Sequence, residues 1–167
     1  MAIRLDAPTD TLTGGGVTGT VATVMCWFRV AVDRDGFSNV WVLWNSGTSG
    51  YEAAFGSGAS GTNFAAFDSA FTDQFGPTVT VGTWYCMASV LNGATWTLYY
   101  GTSPSSLTVV GPDTRVAISS PGGFSVSEPG DWLNGDVANL KIWARALNAT
   151  EVANELATYT VLDTTSL

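Results

Sequence analysis

The glutamates of this chain are the first candidates for acid–base chemistry, because glycoside hydrolysis needs two carboxyl groups about 5–10 Å apart. Glu151 and Glu155 fall in a predicted helix, whereas Glu52 and Glu128 have no acidic residue two or four positions away. The sequence contains no histidine, which excludes an imidazole acid or base and a Ser-His-Asp triad. We therefore expect that the protein is not an enzyme and has no catalytic residues.

Aromatic residues suggest a second kind of chemistry, because their faces stack on sugar rings while their edges tolerate water. The chain has 7 Trp and 5 Tyr. Trp44 ends a predicted strand beside Asn45, and Trp132 opens the last predicted strand. Together with Tyr51 and Asp68, these residues are our candidates for a sugar site on a loop rim or a concave sheet face. The alternative is that each ring only covers the edge of the fold.

Short strands must position these side chains. Runs rich in Val, Thr, Tyr, Phe and Trp alternate with clusters of Gly, Asn, Asp, Pro and Ser, which is typical of strands and turns. Asn92-Gly93 lies between two of these runs and predicts a hairpin with a type I′ turn. The predicted strands are Ala2–Leu5, Thr20–Ala31, Asn39–Trp44, Tyr51–Gly56, Asn63–Asp68, Thr78–Val81, Trp84–Leu91, Thr95–Tyr100, Leu107–Val110, Phe124–Ser127 and Leu133–Ala144.

The last third of the chain predicts one strand followed by one helix. In the strand, the apolar phase slips by one residue between Val137 and Leu140, which indicates either a bulge or burial on both faces. Asn148 is predicted to cap the helix, and Glu151 is placed to complete a capping box. Apolar residues four apart then give the helix one face that can pack on a sheet.

Length and composition indicate a single domain, residues 1–162, followed by a short tail, residues 163–167. Charged residues make up only 12% of the chain, and the net charge is −8 without any basic cluster. These features argue against nucleic acid and anionic membrane surfaces as partners. Because no run of 18 apolar residues occurs, we also expect no membrane insertion.

The two cysteines, Cys26 and Cys86, lie in the middle of predicted strands. We favour two buried thiols that act as small apolar side chains. A disulfide is the alternative, but nothing else in the sequence points to an oxidising compartment. Two thiolates without histidine do not make a zinc site.

Three segments together resemble the laminin G-like domains of the concanavalin A-like lectin and glucanase superfamily. They are the apolar run Thr23–Val30, the Trp-led hairpin Gly82–Gly101, and the closing segment Leu133–Val152. The resemblance covers nearly the whole chain and implies an all-β fold: a jelly-roll β-sandwich of two antiparallel sheets with one short C-terminal helix. It does not imply one activity, because this superfold carries lectins, hydrolases, lyases and adhesion modules. The Glu-x-Asp-x-Glu arrangement of the fold's glucanases is missing.

The same resemblance assigns most of the tryptophans to the core. It makes Trp27, Trp84 and Trp96 structural residues inside strands, and Trp41 in the middle of another strand is interpreted in the same way. Trp143 is predicted to pack under the helix.

Calcium is a further implication of the resemblance, because similar jelly rolls often hold Ca²⁺ with carboxylate and carbonyl oxygens. The acidic pair that such domains carry in the closing strand is replaced here by Ala138-Asn139. Asn139 still offers an amide oxygen, and Asp6 offers a charge. We therefore expect no required cofactor and keep Ca²⁺, held weakly by Asp6 and Asn139, as an alternative.

These observations predict a non-catalytic binding or adhesion module that recognises a glycan or a protein surface. The alternative is a structural component of a larger assembly, such as a virion decoration, fibre or tail protein, in which the chain forms a homo-oligomer or a larger array. The N-terminal residues lack the apolar run of a signal peptide. We expect a place on a virion or an extracellular surface, reached without a signal peptide, and not a cytoplasmic role.

Overall fold

Two stacked β-sheets and one helix make up the part of the chain that a computed structural model describes, residues 2–7, 9–15, 21–32, 37–45, 51–57, 62–70, 73–118 and 121–158. No helix in these ranges is long and apolar enough to cross a membrane. In chain order the elements are β1 Ala2–Leu5, β2 Leu12–Gly15, β3 Thr23–Val30, β4 Ser38–Asn45, β5 Tyr51–Ser57, β6 Asn63–Asp68, β7 Asp73–Thr78, β8 Trp84–Asn92, β9 Thr95–Gly101, β10 Thr108–Thr114, β11 Pro121–Val126, β12 Gly135–Trp143 and α1 Ala149–Leu156.

The strands form two sheets of six strands each. Sheet A has the order β1-β12-β3-β8-β9-β10, and sheet B has the order β2-β11-β4-β5-β6-β7. Every ladder between these strands is antiparallel. The predicted jelly-roll β-sandwich with one short helix near its C-terminal end is therefore confirmed.

The core lies between the two sheets because side chains alternate along each strand. Cys26 and Phe28 of β3 face sheet B and are completely buried. The ring centroid of Phe28 lies 5.5 Å from that of Phe55 and 5.0 Å from that of Phe64, so aromatic rings from both sheets meet. The intervening residues of β3 consequently point to the outer face of sheet A.

Helix α1 packs on this outer face of sheet A and covers Trp143, whose predicted burial under the helix is confirmed. The predicted capping box is also confirmed. The backbone N–H of Glu151 donates to the side chain of Asn148 at 3.1 Å, and the N–H of Asn148 donates to the carboxylate of Glu151 at 2.8 Å. The cap fixes the start of the helix, which follows β12 after five residues.

Strand β12 contains the predicted irregularity, and it is a bulge. The register against β3 shifts between Ala138 and Lys141. Asn139, inside this step, has a φ of +51°, in the left-handed region that asparagine tolerates better than most residues. The bulge places Lys141 under the helix, where its side chain is buried.

The hairpin predicted at Asn92-Gly93 joins β8 to β9, but its turn lies one residue further along. Asn92 pairs with Thr95, so Gly93 and Ala94 are the two central residues. Of these two, only Gly93 has a positive φ, +59°. This fits a type II′ turn, and the predicted type I′ turn is wrong.

Two strands of sheet B differ from the predicted set. The sequence pattern predicts no strand at β2, because Leu12 is its only apolar residue apart from glycine. The predicted strand Thr78–Val81 is wrong, since β7 ends at Thr78 and Val81 lies in a turn. The sequence of β7 does not show alternating apolar and polar residues, because its inward-facing position is occupied by Gln74, a polar residue that is only 2% exposed.

Cys26 and Cys86 are buried free thiols, as predicted. They lie on adjacent strands but on opposite faces of sheet A: Cys26 belongs to the core between the sheets, and Cys86 to the cluster beneath α1. A disulfide between them is therefore sterically excluded. Burial raises the pKa of the Cys86 thiol to about 11, and burial also raises the pKa of Cys26.

We expect both thiols to resist a thiol-modifying reagent in the native chain at neutral pH and to react once the chain is unfolded. Between about pH 9 and about pH 11 the Cys86 thiol is ionised in the unfolded chain but keeps its proton in the folded chain. The unfolded state then binds fewer protons, so the free energy of unfolding falls as the pH rises through this interval. Denaturant titrations at several pH values test the sign, and rapid labelling of the native chain would contradict the prediction.

Candidate functional site

Four side chains form a row across four adjacent strands of sheet A. Arg4 of β1 pairs with Asp136 of β12, which pairs with Arg29 of β3, which in turn pairs with Trp84 of β8. Directly paired residues of antiparallel strands project from the same face of a sheet. This is the outer face of sheet A, beyond the area that α1 covers.

Hydrogen bonds and one cation–π contact hold this row in place. The Nε and Nη2 atoms of Arg29 donate to Oδ2 of Asp136 at 2.9 and 2.7 Å, and Nη1 of Arg4 donates to the same oxygen at 3.2 Å. The guanidinium carbon of Arg29 lies 5.3 Å from the centroid of the Trp84 ring, within the range of an attractive cation–π contact. The indole of Trp84 is therefore fixed by a guanidinium that is itself fixed by a carboxylate.

Trp27 supplies a second indole on the same face. It pairs with Cys86, and Arg29 pairs with Trp84, so the two tryptophans are diagonal neighbours roughly 7–8 Å apart between Cα atoms. Nε1 of Trp27 donates to the backbone oxygen of Leu156 at 3.0 Å, which ties the ring to the end of α1. We call Trp27, Arg29, Trp84 and Asp136 the tryptophan face.

A groove of about 350 Å³ opens beside Trp27. One wall is the turn that contains Ser103 and Ser105, whose hydroxyl oxygens are 2.8 Å apart, and the other is the end of α1 up to Thr158. Asn139 also lines the groove and donates from Nδ2 to the backbone oxygen of Thr158 at 2.6 Å. The groove therefore combines an aromatic floor with hydroxyl and amide groups.

The bulge and one glycine of β12 allow this strand to pack closely against β3 and the end of α1. A side chain at Gly135 would collide with the backbone oxygen of Arg29, so β12 approaches β3 closely only because this residue is glycine. Beyond the bulge, Nζ of Lys141 donates to the backbone oxygens of Glu155 at 2.6 Å and Thr158 at 3.0 Å. Sheet and helix end are thus locked together around the groove.

The charged groups of the row are partly accessible. The side chains of Arg4 and Arg29 are 45% and 35% exposed, whereas that of Asp136 is 10% exposed. Two guanidinium groups therefore surround one carboxylate and present N–H donors to solvent. Planar donors beside partly exposed indole rings can bind the hydroxyl groups and the apolar face of a sugar.

Three of the predicted sugar-site residues lie close together in sheet B. Trp44 pairs with Tyr51, and Asn45 is the next residue of β4. Trp44 packs on the outer face of sheet B, and its Nε1 donates to Oγ of Ser125 at 2.9 Å. The side chains of Asn45 and Tyr51 lie outside the described part of the structure, so only their backbone positions are placed.

Asp68 and Trp132 do not join this group. Asp68 pairs with Ala53, whose side chain faces the core, so the carboxylate of Asp68 points to the opposite face from Trp44. It is almost fully buried and accepts the backbone N–H of Val116 at 2.8 Å. Trp132 forms a bridge with Asn39, five residues before Trp44 on β4 and therefore roughly 17 Å away. The predicted five-residue site is not assembled.

The two residues considered for calcium are also separated. Asp6 follows the Leu5–Gly135 pair at one end of the β1–β12 ladder, and Asn139 follows the Ala2–Ala138 pair at the other end. Four strand residues lie between these positions, which are therefore five residue steps, or roughly 17 Å, apart. Asp6 and Asn139 therefore do not share an ion. Among the described residues there is no group of three or more His, Cys, Asp or Glu side chains that could hold a metal.

The assignment of Trp27 and Trp84 to the core needs correction. Trp41 and Trp96 are buried as predicted, but Trp27 and Trp84 are only partly buried, on the outer face of sheet A. The alternation of β3 contains the signal: Trp27 shares its face with Arg29, while Cys26 and Phe28 occupy the other. A charged residue two positions from a tryptophan on a strand indicates a face in contact with water.

Fold and site together define a jelly-roll β-sandwich with a candidate ligand-binding face on one sheet. A laminin G family model, described as the concanavalin A-like lectin/glucanases superfamily, matches residues 5–153. The chain belongs to this superfamily, as the sequence resemblance predicted. No curated protein is similar enough to the sequence to count as a relative.

Solved structures show the same fold at low sequence identity. A Trypanosoma rangeli sialidase in complex with the inhibitor DANA has 12% identity and a TM-score of 0.65, covering 82% of this chain and 23% of the sialidase. The same sialidase in complex with sialic acid has 11% identity and a TM-score of 0.66, covering 97% and 30%. The heptameric SAP-like pentraxin from Limulus polyphemus has 12% identity and a TM-score of 0.58, covering 88% and 82%. The chain therefore spans less than a third of the sialidase.

Proposed function

We propose that the protein is a non-catalytic glycan-recognition module and that the tryptophan face is its binding site. One observation carries this proposal: two partly exposed indole rings, Trp27 and Trp84, lie side by side on a sheet face beside a fixed guanidinium–carboxylate pair. Packing of the sandwich core does not require these side chains, because they lie on the outer face of sheet A. A sugar has an apolar ring face and a rim of hydroxyl groups, and it matches both parts.

The rigidity of the tryptophan face supports binding. Trp27 is held by its bond to Leu156, and Arg29 by two bonds to Asp136. Side chains that are already ordered lose little conformational entropy when a ligand arrives, so more of the contact energy appears as affinity. The superfamily, whose described members include lectins, supports the same class of function.

The positions of the carboxylates support a role without catalysis. Glu52 precedes Ala53, which pairs with Leu43 near the end of β4. Glu128 lies near the start of β4, where it accepts a hydrogen bond from Nδ2 of Asn39. Both side chains are buried, at 3% and 4% exposed, so neither carboxylate is open to a saccharide in solution.

Substitution of the two indoles tests the site. Trp27→Ala and Trp84→Ala should each weaken glycan affinity about thirtyfold, because truncating a buried aromatic anchor at an interface often costs about 2 kcal/mol. The measurement is a glycan array followed by calorimetry with the best saccharide, in calcium and in chelator. We expect equal affinity in both, since we propose that no cofactor is needed.

Trp44→Ala is the matched control, because it removes an indole from sheet B without touching sheet A. It should leave the affinity unchanged, and circular dichroism should report folded protein for all three variants. Loss of binding in Trp44→Ala alone would show that the binding site lies on sheet B. If the protein binds none of the glycans in either buffer, the proposal is wrong.

A second candidate function is a structural component of a larger assembly, such as a virion decoration, fibre or tail protein. It is favoured by the flank of the sandwich formed by β1 and β2, where Ile3 and Leu12 are 36% and 49% exposed. These two apolar side chains line one groove, together with Val126 and Val137, and a contiguous apolar patch of this kind can contact another subunit. Electron microscopy of the material in its native source, showing the chain in an ordered array, would support this function.

A further inference from the structure

The carboxylate of Asp136 uses only one of its two oxygens within the protein. All three hydrogen bonds that it accepts, two from Arg29 and one from Arg4, end on Oδ2. Oδ1 accepts no hydrogen bond from the residues that the structure describes, although the side chain is only 10% exposed. A carboxylate oxygen that is largely shielded from water normally has a donor. A hydroxyl group of a ligand can supply this donor.

Arg29 offers the complementary group. Its Nε and Nη2 atoms donate to Asp136, whereas Nη1 donates to no acceptor within the described ranges of the chain. The side chain of Arg29 is 35% exposed, so Nη1 is within reach of a ligand. This ion pair therefore presents one free donor and one free acceptor. Two neighbouring hydroxyl groups of a sugar match it, because each hydroxyl can both donate and accept.

The charges on the helix side of sheet A cancel. Four of the six basic residues of the chain lie there, and each is close to a different carboxylate. The pairs are Arg4 with Asp6, Arg29 with Asp136, Lys141 with Glu155 and Arg145 with Glu151. The net charge of −8 consequently comes from the rest of the chain. No cation on this side is left to neutralise an acidic ligand.

The groove beside Trp27 is uncharged as well. Aromatic, apolar, hydroxyl and amide groups line it, and none of its described lining residues carries a charge. The two residues paired with Trp27 on the neighbouring strands, Ala138 and Cys86, are small. They leave space beside the indole that a larger side chain would fill. The groove therefore suits a neutral ring with hydroxyl groups.

We propose that the ligand is an uncharged oligosaccharide, an inference that rests on the proposed function and narrows it. One sugar unit occupies the groove beside Trp27. The next unit lies at Trp84, where one of its hydroxyl groups donates to Oδ1 of Asp136 and a neighbouring hydroxyl accepts from Nη1 of Arg29. Trp27 and Asp136 are diagonal neighbours, roughly 7–8 Å apart between Cα atoms. Two linked units span these places, whereas a single unit reaches only one of them.

Calorimetry with a series of saccharides and the full chain tests the class of ligand. The best neutral oligosaccharide is compared with its own monosaccharide and with analogues that carry a carboxylate or a sulfate. We expect the monosaccharide to bind at least about tenfold more weakly, because it gives up the contacts of one of the two places. The charged analogues should also lose at least about tenfold, because they meet carboxylates without a free counter-ion. Affinity for the neutral oligosaccharide should be equal at low and high salt.

Two results would overturn this proposal while leaving the proposed function in place. One is equal or tighter binding of an acidic analogue, weakening as salt is added. The other is a monosaccharide that binds as tightly as the oligosaccharide. Absence of binding to every saccharide would overturn both proposals.

Asp136→Asn tests the contact at Oδ1. It should weaken binding of the neutral oligosaccharide about tenfold, because hydrogen bonds to charged groups are stronger than those between neutral groups. Monodeoxy analogues separate a lost contact from a loosened Arg29. Removing the hydroxyl that donates to Oδ1 should weaken binding to the parent chain and have a much smaller effect on the variant.

Asp6→Asn is the matched control, since it removes the same charge from a side chain that is 64% exposed beside Arg4. It should leave the affinity for the neutral oligosaccharide unchanged. If every monodeoxy analogue loses the same factor with the parent and with Asp136→Asn, Asp136 does not contact the ligand and the proposed contact is wrong.

Discussion

Replacing Lys141 with methionine should lower the free energy of unfolding by about 3–5 kcal/mol, the typical cost of removing one partner of a buried ion pair. The side chains of Lys141 and Glu155 are each only 3% exposed, and Nζ lies 2.9 Å from Oε2 of Glu155. The variant leaves this carboxylate buried without its counter-ion. Denaturant unfolding followed by circular dichroism measures the loss.

The double variant Lys141→Met with Glu155→Leu is the control for this prediction. Replacing both members of a buried pair with apolar residues of similar size is often close to neutral. We therefore expect the double variant to recover most of the stability that the single variant loses. A double variant as unstable as the single one would mean that the bonds from Lys141 to the helix-end carbonyls, and not the ion pair, hold α1 on sheet A.

Replacing Trp41 with alanine should cost about 3–5 kcal/mol, the range for removing a large aromatic side chain from a packed core. Trp41 is completely buried in β4, and its ring stacks on Phe124 of the neighbouring strand at 6.1 Å between centroids. The cavity would lie in the core between the sheets, against β4. Thermal and denaturant unfolding of the variant measure the effect.

Trp41→Phe distinguishes loss of volume from loss of the indole N–H. Nε1 of Trp41 is buried and has no hydrogen-bond partner among the described residues. Phenylalanine therefore removes a polar group whose burial is not compensated by a hydrogen bond. We expect Trp41→Phe to cost clearly less than Trp41→Ala. Equal losses would mean that the indole N–H has a partner that stabilises it.

The fold could be predicted from the sequence because its strongest signals are local. The Asn148 capping box involves residues three positions apart, and the bulge of β12 appears as a slip in apolar phase between Val137 and Leu140. Such features need only neighbouring residues to be recognised. Strand β7 could not be found in this way, because the buried position of Gln74 is satisfied by bonds to backbone oxygens of β9 and β10. Those partners are distant in sequence.

The candidate site was harder to predict because it depends on strand register. Trp27 and Trp84 are 57 positions apart in the sequence, and nothing local indicates that Asp136 lies beside Arg29. The order β1-β12-β3-β8 creates the row. Conversely, residue type alone groups Asp68 and Trp132 with Trp44. Strand pairing places Asp68 on the other face of sheet B and Trp132 at the opposite end of β4.

A two-dimensional ¹H–¹⁵N spectrum of the chain, recorded while the best saccharide from the array is added, tests whether the tryptophan face is the binding site. Indole N–H signals are well separated from the backbone signals and can be assigned by single substitutions. We expect the signals of Trp27 and Trp84, and that of the Nε–H of Arg29, to shift in proportion to the bound fraction while the signal of Trp44 stays in place. Shifts confined to Trp44, with Trp27 and Trp84 unmoved at saturation, would contradict this expectation.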